Sequence, residues 1–121
     1  MEGDPEVKSK LQQMQRQLLS QNIPKAVSES DVVITNPTHF AVALKYDQEE
    51  SNSPVVNAKG ADLIAQNIKR IAAENNIPIV ENKPVARDLY TNVEVGDIIP
   101  EVYYRAIAAI YAQLDSYKKN S

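Results

Sequence analysis

The residues of this sequence best placed to react with one another are Asn36, Pro37, Thr38 and His39, a polar tetrapeptide set between two apolar stretches, Asp31 to Thr35 and Phe40 to Tyr46. An asparagine has two intramolecular reactions. In the commoner one, the backbone nitrogen of the next residue attacks the side-chain carbonyl, but Pro37 has no N–H with which to do so. The remaining route is reversed: the Asn36 amide nitrogen attacks the Asn36 backbone carbonyl, closes a succinimide and expels the proline nitrogen, which breaks the chain. Proline also pushes the preceding residue toward extended backbone angles, and flanking strands can hold nitrogen and carbon near an attack distance of about 3 Å. Turn N–H groups can stabilise the developing oxyanion, a contribution of ~3 kcal/mol per donor. His39, the only histidine, carries an imidazole, a side chain able to take up and release a proton, while Thr38 can hydrogen-bond the turn. Asn-Pro pairs are also ordinary turn initiators, and a single histidine beside a strand is ordinarily structural. The four residues alone leave both readings open.

Bulk properties narrow the alternatives. With 121 residues, the chain has room for one hydrophobic core, which aliphatic side chains must build because there is no tryptophan and one phenylalanine. The formal charge is -3 and the 13 basic residues are dispersed, so no nucleic-acid partner is expected. Without cysteine there are no disulfides or thiolate metal sites, and a lone histidine offers no imidazole pair to a catalytic metal. No cofactor is expected. No apolar run approaches the roughly 18 residues of a spanning helix, and no signal-peptide pattern follows Met1, so the sequence predicts a soluble chain.

The elements that must position the tetrapeptide follow from periodicity. Glu6 to Gln21 reads as a polar connector helix with a one-residue stripe of Val7, Leu11, Met14 and Leu18, and Asn22 to Ser30 as the loop that ends it. Asp31 to Thr35 and Phe40 to Tyr46 read as strands, the second with Phe40, Val42, Leu44 and Tyr46 on a core face. Gln48 to Ser53 is a polar loop, Pro54 to Ala58 a short strand, and Gly60 marks entry to a helix from Ala61 to Asn75. That helix buries Leu63, Ile64, Ile68, Ile71 and Ala72, and Ile77 to Glu81 is the strand beyond it. The strand–helix–strand unit predicts a right-handed crossover. Pro84 to Tyr90 reads as a short helix and Pro100 to about Lys118 as the last one. The expected fold is α/β: a central sheet of about four strands surrounded by helices, with an N-terminal connector helix. Residues 1–30 form the connector and linker, and 31–121 the domain itself.

"SDVVITNPTHFAVALKYD", followed by "VVNAKGADLIAQNIKRIAAENNIPIVENKPVARDLY" and the remainder to the final helix, resembles the cytoplasmic domain of the FlhB family of type III export-switch proteins. That resemblance implies autocatalytic cleavage between Asn36 and Pro37, with Thr38 and His39 in support, after which both pieces stay in one sheet. It implies single-turnover self-cleavage rather than a turnover enzyme, and no cofactor. It also implies a cytoplasmic domain of an inner-membrane protein, attached through a preceding transmembrane region. Such a domain helps switch flagellar export from one substrate class to another, and its partners are export substrates and other components of the export apparatus. "AVALKYD" and "AKGAD" look more like the flagellar branch than the virulence injectisome. A non-cleaving interaction adaptor is the alternative of another class.

The last helix carries a second candidate surface. Tyr103, Ile107, Ile110 and Leu114 make one apolar face, while Tyr104, Ala108 and Tyr111 make a neighbouring one that a small core leaves partly uncovered. With the loop around Pro54, that second face is expected to receive a short apolar segment of a partner. In "KPVARDLY", Val85 and Leu89 should pack inward and Arg87 and Asp88 outward.

Overall fold

The computed structural model describes residues 9, 12, 21–37, 39–46 and 53–119, with side chains as far as Leu114. The connector read over Glu6 to Gln21, most of the Gln48 to Ser53 loop, and Thr38 fall largely or wholly outside the described residues. Strands β1 (Val32–Asn36), β2 (Phe40–Lys45), β3 (Val55–Ala61) and β4 (Ile79–Glu81) form one mixed sheet in the order β3-β2-β1-β4. β1 and β2 form an antiparallel hairpin, β3 is antiparallel to β2, and β4 runs parallel to β1. Helices α1 (Ile23–Ser28), α2 (Asp62–Glu74), α3 (Lys83–Asn92) and α4 (Tyr104–Lys119) surround the sheet. The α/β expectation with about four strands holds.

Alternation along the hairpin divides the core in two, because successive strand residues point to opposite faces. Val32, Ile34, Val42, Leu44 and Val56 pack with Val85 and Leu89 of α3 and Ile107, Ile110 and Leu114 of α4. Val33, Ala41, Ala43 and Ala58 pack on the opposite face with Ile23 and Val27 of α1 and Ile64, Ile68 and Ile71 of α2. Both faces of β2 are therefore buried. Alternation in the sequence pointed to one core face because Ala41 and Ala43 are small enough to accept a close helix without standing out as apolar.

Three local features depart from the sequence reading. The expected loop at Asn22 to Ser30 contains α1: Pro24 sits in the first turn, where its missing N–H costs no hydrogen bond, and Ile23 and Val27 bury completely at i,i+4 spacing. Leu63, expected in the core, is 58% exposed. It shares the outward face with Asn67 and Arg70, while Ile64, Ile68, Ile71 and Ala72 form the buried stripe. β3 runs on to Ala61, so Gly60 lies in the strand rather than before it. A Cβ there would overlap the Ile64 side chain, so the start of α2 and the end of β3 approach closely at Gly60.

The other boundaries have local causes. Asn75 and Asn76 close α2 as expected, with Asn76 left-handed (φ 59) and the Ile77 N–H donating to the Ala72 carbonyl at 2.8 Å. Asn82 caps α3 by accepting from the Val85 N–H at 3.2 Å, ahead of Pro84 in the first turn. A bulge in β3 leaves Asn57 unpaired between Val56 and Ala58, and its Nδ2 donates to the Ala26 carbonyl at 2.7 Å, tying α1 to the sheet. β3 and β4, read as one strand–helix–strand unit, are parallel but lie at opposite edges, with the hairpin between them. As expected, Val85 and Leu89 are buried and Arg87 is exposed; Asp88 is half-buried.

Candidate functional site

β1 ends at Asn36, which pairs with Phe40, so Pro37, Thr38 and His39 form the connection of the hairpin. Asn36 and Pro37 are half-buried and His39 is exposed. The backbone of this turn is fixed from three directions. The His39 N–H donates to the Asn36 carbonyl at 2.9 Å, the Asn82 N–H to the Thr35 carbonyl at 2.9 Å, and the Asp62 N–H to the His39 carbonyl at 2.9 Å. Asn82 begins α3 and Asp62 begins α2, so both helix starts converge on the turn. Phe40, the partner of Asn36, stacks on Tyr90 with ring centroids 4.7 Å apart.

The carbonyl that accepts from His39 is the one whose carbon the Asn36 amide would attack. An N–H 2.9 Å from that oxygen withdraws electron density from the carbon and can stabilise the charge that develops on attack. His39 thus contacts the Asn36 carbonyl through its backbone. Its ring makes a tilted contact with Phe40 at 6.4 Å between centroids. Asn36, Pro37 and His39 all have negative φ, so none of the three is left-handed.

Sequence reasoning missed the supports behind the turn. Lys59 Nζ donates to the Tyr90 carbonyl at 2.8 Å and lies 5.2 Å from the Tyr90 ring centroid. It therefore contacts the ring on which Phe40 stacks. The "KPVARDLY" segment was read for its inward and outward faces, and Tyr90, at its end, carried no further signal. Asp62 was hidden for another reason: its contribution is a backbone N–H, which no side-chain pattern records.

Pro54, Tyr104, Ala108 and Tyr111 come together at the opposite end of the hairpin, about 16 Å away along the five residues of β1. They share a cleft of about 410 Å³ with Tyr46, Ser53, Ile99, Ile107 and Ala112. Tyr104 is 41% exposed and Tyr111 half-buried, so this face of α4 is open. Tyr103 is half-buried beside the core, and Ile107, Ile110 and Leu114 are buried in it. Polar contacts shape the cleft: Ser53 Oγ donates to the Tyr104 hydroxyl at 2.7 Å, and the Tyr111 hydroxyl donates to Asp31 Oδ2 at 3.1 Å. The same carboxylate oxygen accepts the Tyr46 N–H. Burial, and then the Asp31 charge, push the Tyr111 phenol well above the usual tyrosine range. Among the described residues no cluster of acidic groups or histidine could hold a metal, and no helix is long and apolar enough to cross a membrane.

The hairpin turn thus lies in a mixed sheet covered by helices on both faces. Residues 1–114 match the FlhB HrpN YscU SpaS family, and the chain belongs to it. It is 49% identical over 119 residues to the flagellar biosynthetic protein FlhB of Borreliella burgdorferi, covering 98% of this chain and 32% of that protein. With FlhB of Bacillus subtilis the identity is 44% over 118 residues, 98% of this chain and 33% of that protein. The chain thus spans about a third of the length of these curated relatives. The crystal structure of the FlhB cytoplasmic domain from Shewanella putrefaciens superposes with a TM-score of 0.75 at 39% identity, covering 83% of this chain and 79% of that one. An asparagine-to-alanine variant of the EscU C-terminal domain gives 0.70 at 33% identity, covering 72% and 87%. Other solved EscU variants replace the proline that follows this asparagine and a histidine two residues further on. Those are the residue types and spacing of Asn36, Pro37 and His39. The chain is homologous to the cytoplasmic domain of FlhB.

Proposed function

We propose that this domain severs its own chain between Asn36 and Pro37 and acts as the cytoplasmic switch of a flagellar protein-export machine. The observation that carries the reading is the His39 N–H on the Asn36 carbonyl, in a turn whose two arms are locked into the sheet. The Asn36 side-chain nitrogen attacks the Asn36 backbone carbon, and the new C–N bond closes a five-membered imide. The bond to Pro37 breaks, its nitrogen leaves with the electron pair, and the proton lost from the amide ends on that nitrogen. Water then opens the imide. The His39 imidazole serves as proton carrier and Thr38 supports the turn. Nucleophile and electrophile belong to one residue, so the reaction occurs once per chain and requires no cofactor.

Both pieces stay together on this reading. Val32, Val33 and Ile34 are fully buried on the piece that ends at Asn36. Each contributes about 1.5–3 kcal/mol by burial, and β1 keeps its ladders to β2 and β4. Intact-mass analysis of purified protein incubated at neutral pH tests the reading. A new polypeptide beginning at Pro37, co-purifying with its partner under native conditions, is expected; a chain that stays whole supports the adaptor reading.

The tyrosine-lined cleft is proposed to receive a short apolar segment of an export substrate, with Pro54, Tyr104, Ala108 and Tyr111 as contacts. Its open apolar lining supports this. Ala108→Glu should abolish binding of an apolar peptide in calorimetry without altering cleavage. The flagellar branch is favoured over the injectisome because the flagellar relatives reach 49% identity and the EscU structures 36%. Attachment to the inner membrane through a preceding segment, with residues 1–30 as connector and linker, completes the proposal.

A further inference from the structure

The His39 backbone, which aims its N–H at the Asn36 carbonyl, is held from its other side by Asp62. The Asp62 N–H donates to the His39 carbonyl as the last rung of the β2–β3 ladder, one residue beyond the Phe40–Ala61 pair. Asp62 itself has φ 52. That is the left-handed region, which residues with side chains avoid, although Asn and Asp tolerate it and glycine adopts it freely.

The chain has little alternative there. Gly60 abuts Ile64 so closely that no side chain would fit, which brings α2 hard against β3. Ala61 is still extended, with φ -118 and ψ 153. The whole change from strand to helix is therefore compressed into Asp62. A residue that resists the left-handed conformation must displace either the first turn of α2 or the N–H that holds His39. The second displacement moves the oxyanion donor.

We propose that Asp62 is a positioning residue for chain cleavage, acting through its left-handed backbone to hold the rung that fixes His39 over the Asn36 carbonyl. The proposal rests on the self-cleavage reading. Its test follows first-order cleavage of freshly translated chains by mass spectrometry, well below the unfolding midpoint of each chain measured in an Asn36→Ala background. Under those conditions a loss of global stability leaves the rate of the folded chain unchanged.

The rates should rank by tolerance of the left-handed region. Asp62→Gly and Asp62→Asn should stay within about twofold of the parent, Asp62→Ala should be slower, and Asp62→Val slowest, by roughly tenfold. If Asp62→Val does not fold, the ranking of Gly and Asn above Ala still decides. Equal rates for all variants overturn the role of Asp62 while leaving cleavage intact. Gly and Asn variants as slow as Ala overturn it too, because the carboxylate rather than the backbone would then be at work. A parent that never yields a piece beginning at Pro37 overturns both readings.

Discussion

The two ends of the β1–β2 hairpin are built in opposite ways. At the turn, Thr35, Asn36 and His39 each have a carbonyl held by a backbone N–H, and the groups proposed to react are neighbours in the chain. At the far end, Asp31 and Tyr46 are joined through a side chain, and the cleft beside them draws on segments as distant as Ser53 and Tyr111. Backbone donors held in ladders cannot rotate away, which suits a reaction whose geometry must be fixed before it starts. Side-chain hydroxyls around an open apolar cavity can shift, which suits a surface that meets a partner. One sheet thus carries a fixed end and an adaptable end.

The largest expected effect belongs to the fixed end. Asn36→Ala removes the nucleophile, so no piece beginning at Pro37 should form, and mass spectrometry after prolonged incubation checks this. Asn36 is half-buried, so stability should change by no more than about 1 kcal/mol. At the adaptable end the order reverses. Asp31→Ala leaves the Tyr46 N–H and the Tyr111 hydroxyl without their shared acceptor and should cost about 1–3 kcal/mol in urea unfolding. It should leave the cleavage rate unchanged. A cleavage defect in Asp31→Ala would show that the two ends are coupled rather than independent.

Tyr111 offers a probe of the far end alone. Its phenol is raised by burial and by the Asp31 charge, so the folded chain keeps a proton that the unfolded chain releases near pH 10. Above that pH the folded state binds more protons than the unfolded state, and stability must fall as pH rises. Below it, this group adds no pH dependence. Urea unfolding at stepped alkaline pH should show a shallower decline for Tyr111→Phe than for the parent.

How far each end was legible in the sequence follows from how it is built. Asn36, Pro37, Thr38 and His39 are contiguous and carry their chemistry in their identities, so the candidate reaction could be read before any fold was known. Alternation and helical spacing gave the four strands and the faces of α2, α3 and α4. Tyr104, Ala108 and Tyr111 stood out together because an apolar helix face that is too wide for a small core shows in the spacing, and with Pro54 they line one cleft. Hidden were the features that depend on close approach. Leu63 looked apolar enough to be buried, α1 was masked by Pro24, and Gly60 was read as a helix boundary although it serves as a contact. The Asp62 rung and the Lys59–Tyr90–Phe40 stack lay beyond reach because they join residues far apart in the chain through backbone groups or ring faces.

The smallest effect sharpens the comparison most, because a pair of benzenoid rings meets near each end. Phe40 and Tyr90 stack at 4.7 Å near the turn, and Tyr46 and Tyr111 meet edge to face at 6.1 Å beside the cleft. Tyr90→Leu keeps apolar bulk in α3 and the main-chain carbonyl that accepts from Lys59, but loses the stack and the contact of Lys59 with the ring, and Tyr46→Leu loses the edge contact. Each should cost about 1 kcal/mol in an Asn36→Ala background. Their effects on cleavage should part company. Phe40 is the ladder partner of Asn36, so loosening it in Tyr90→Leu should slow the reaction by roughly threefold, since rate is sensitive to small misplacements of reacting groups. Tyr46→Leu, acting about 16 Å away along the strand, should cleave at the parental rate. If both variants slow cleavage alike, lost stability rather than local geometry sets the rate, and the turn is no more rigidly built for its reaction than the cleft.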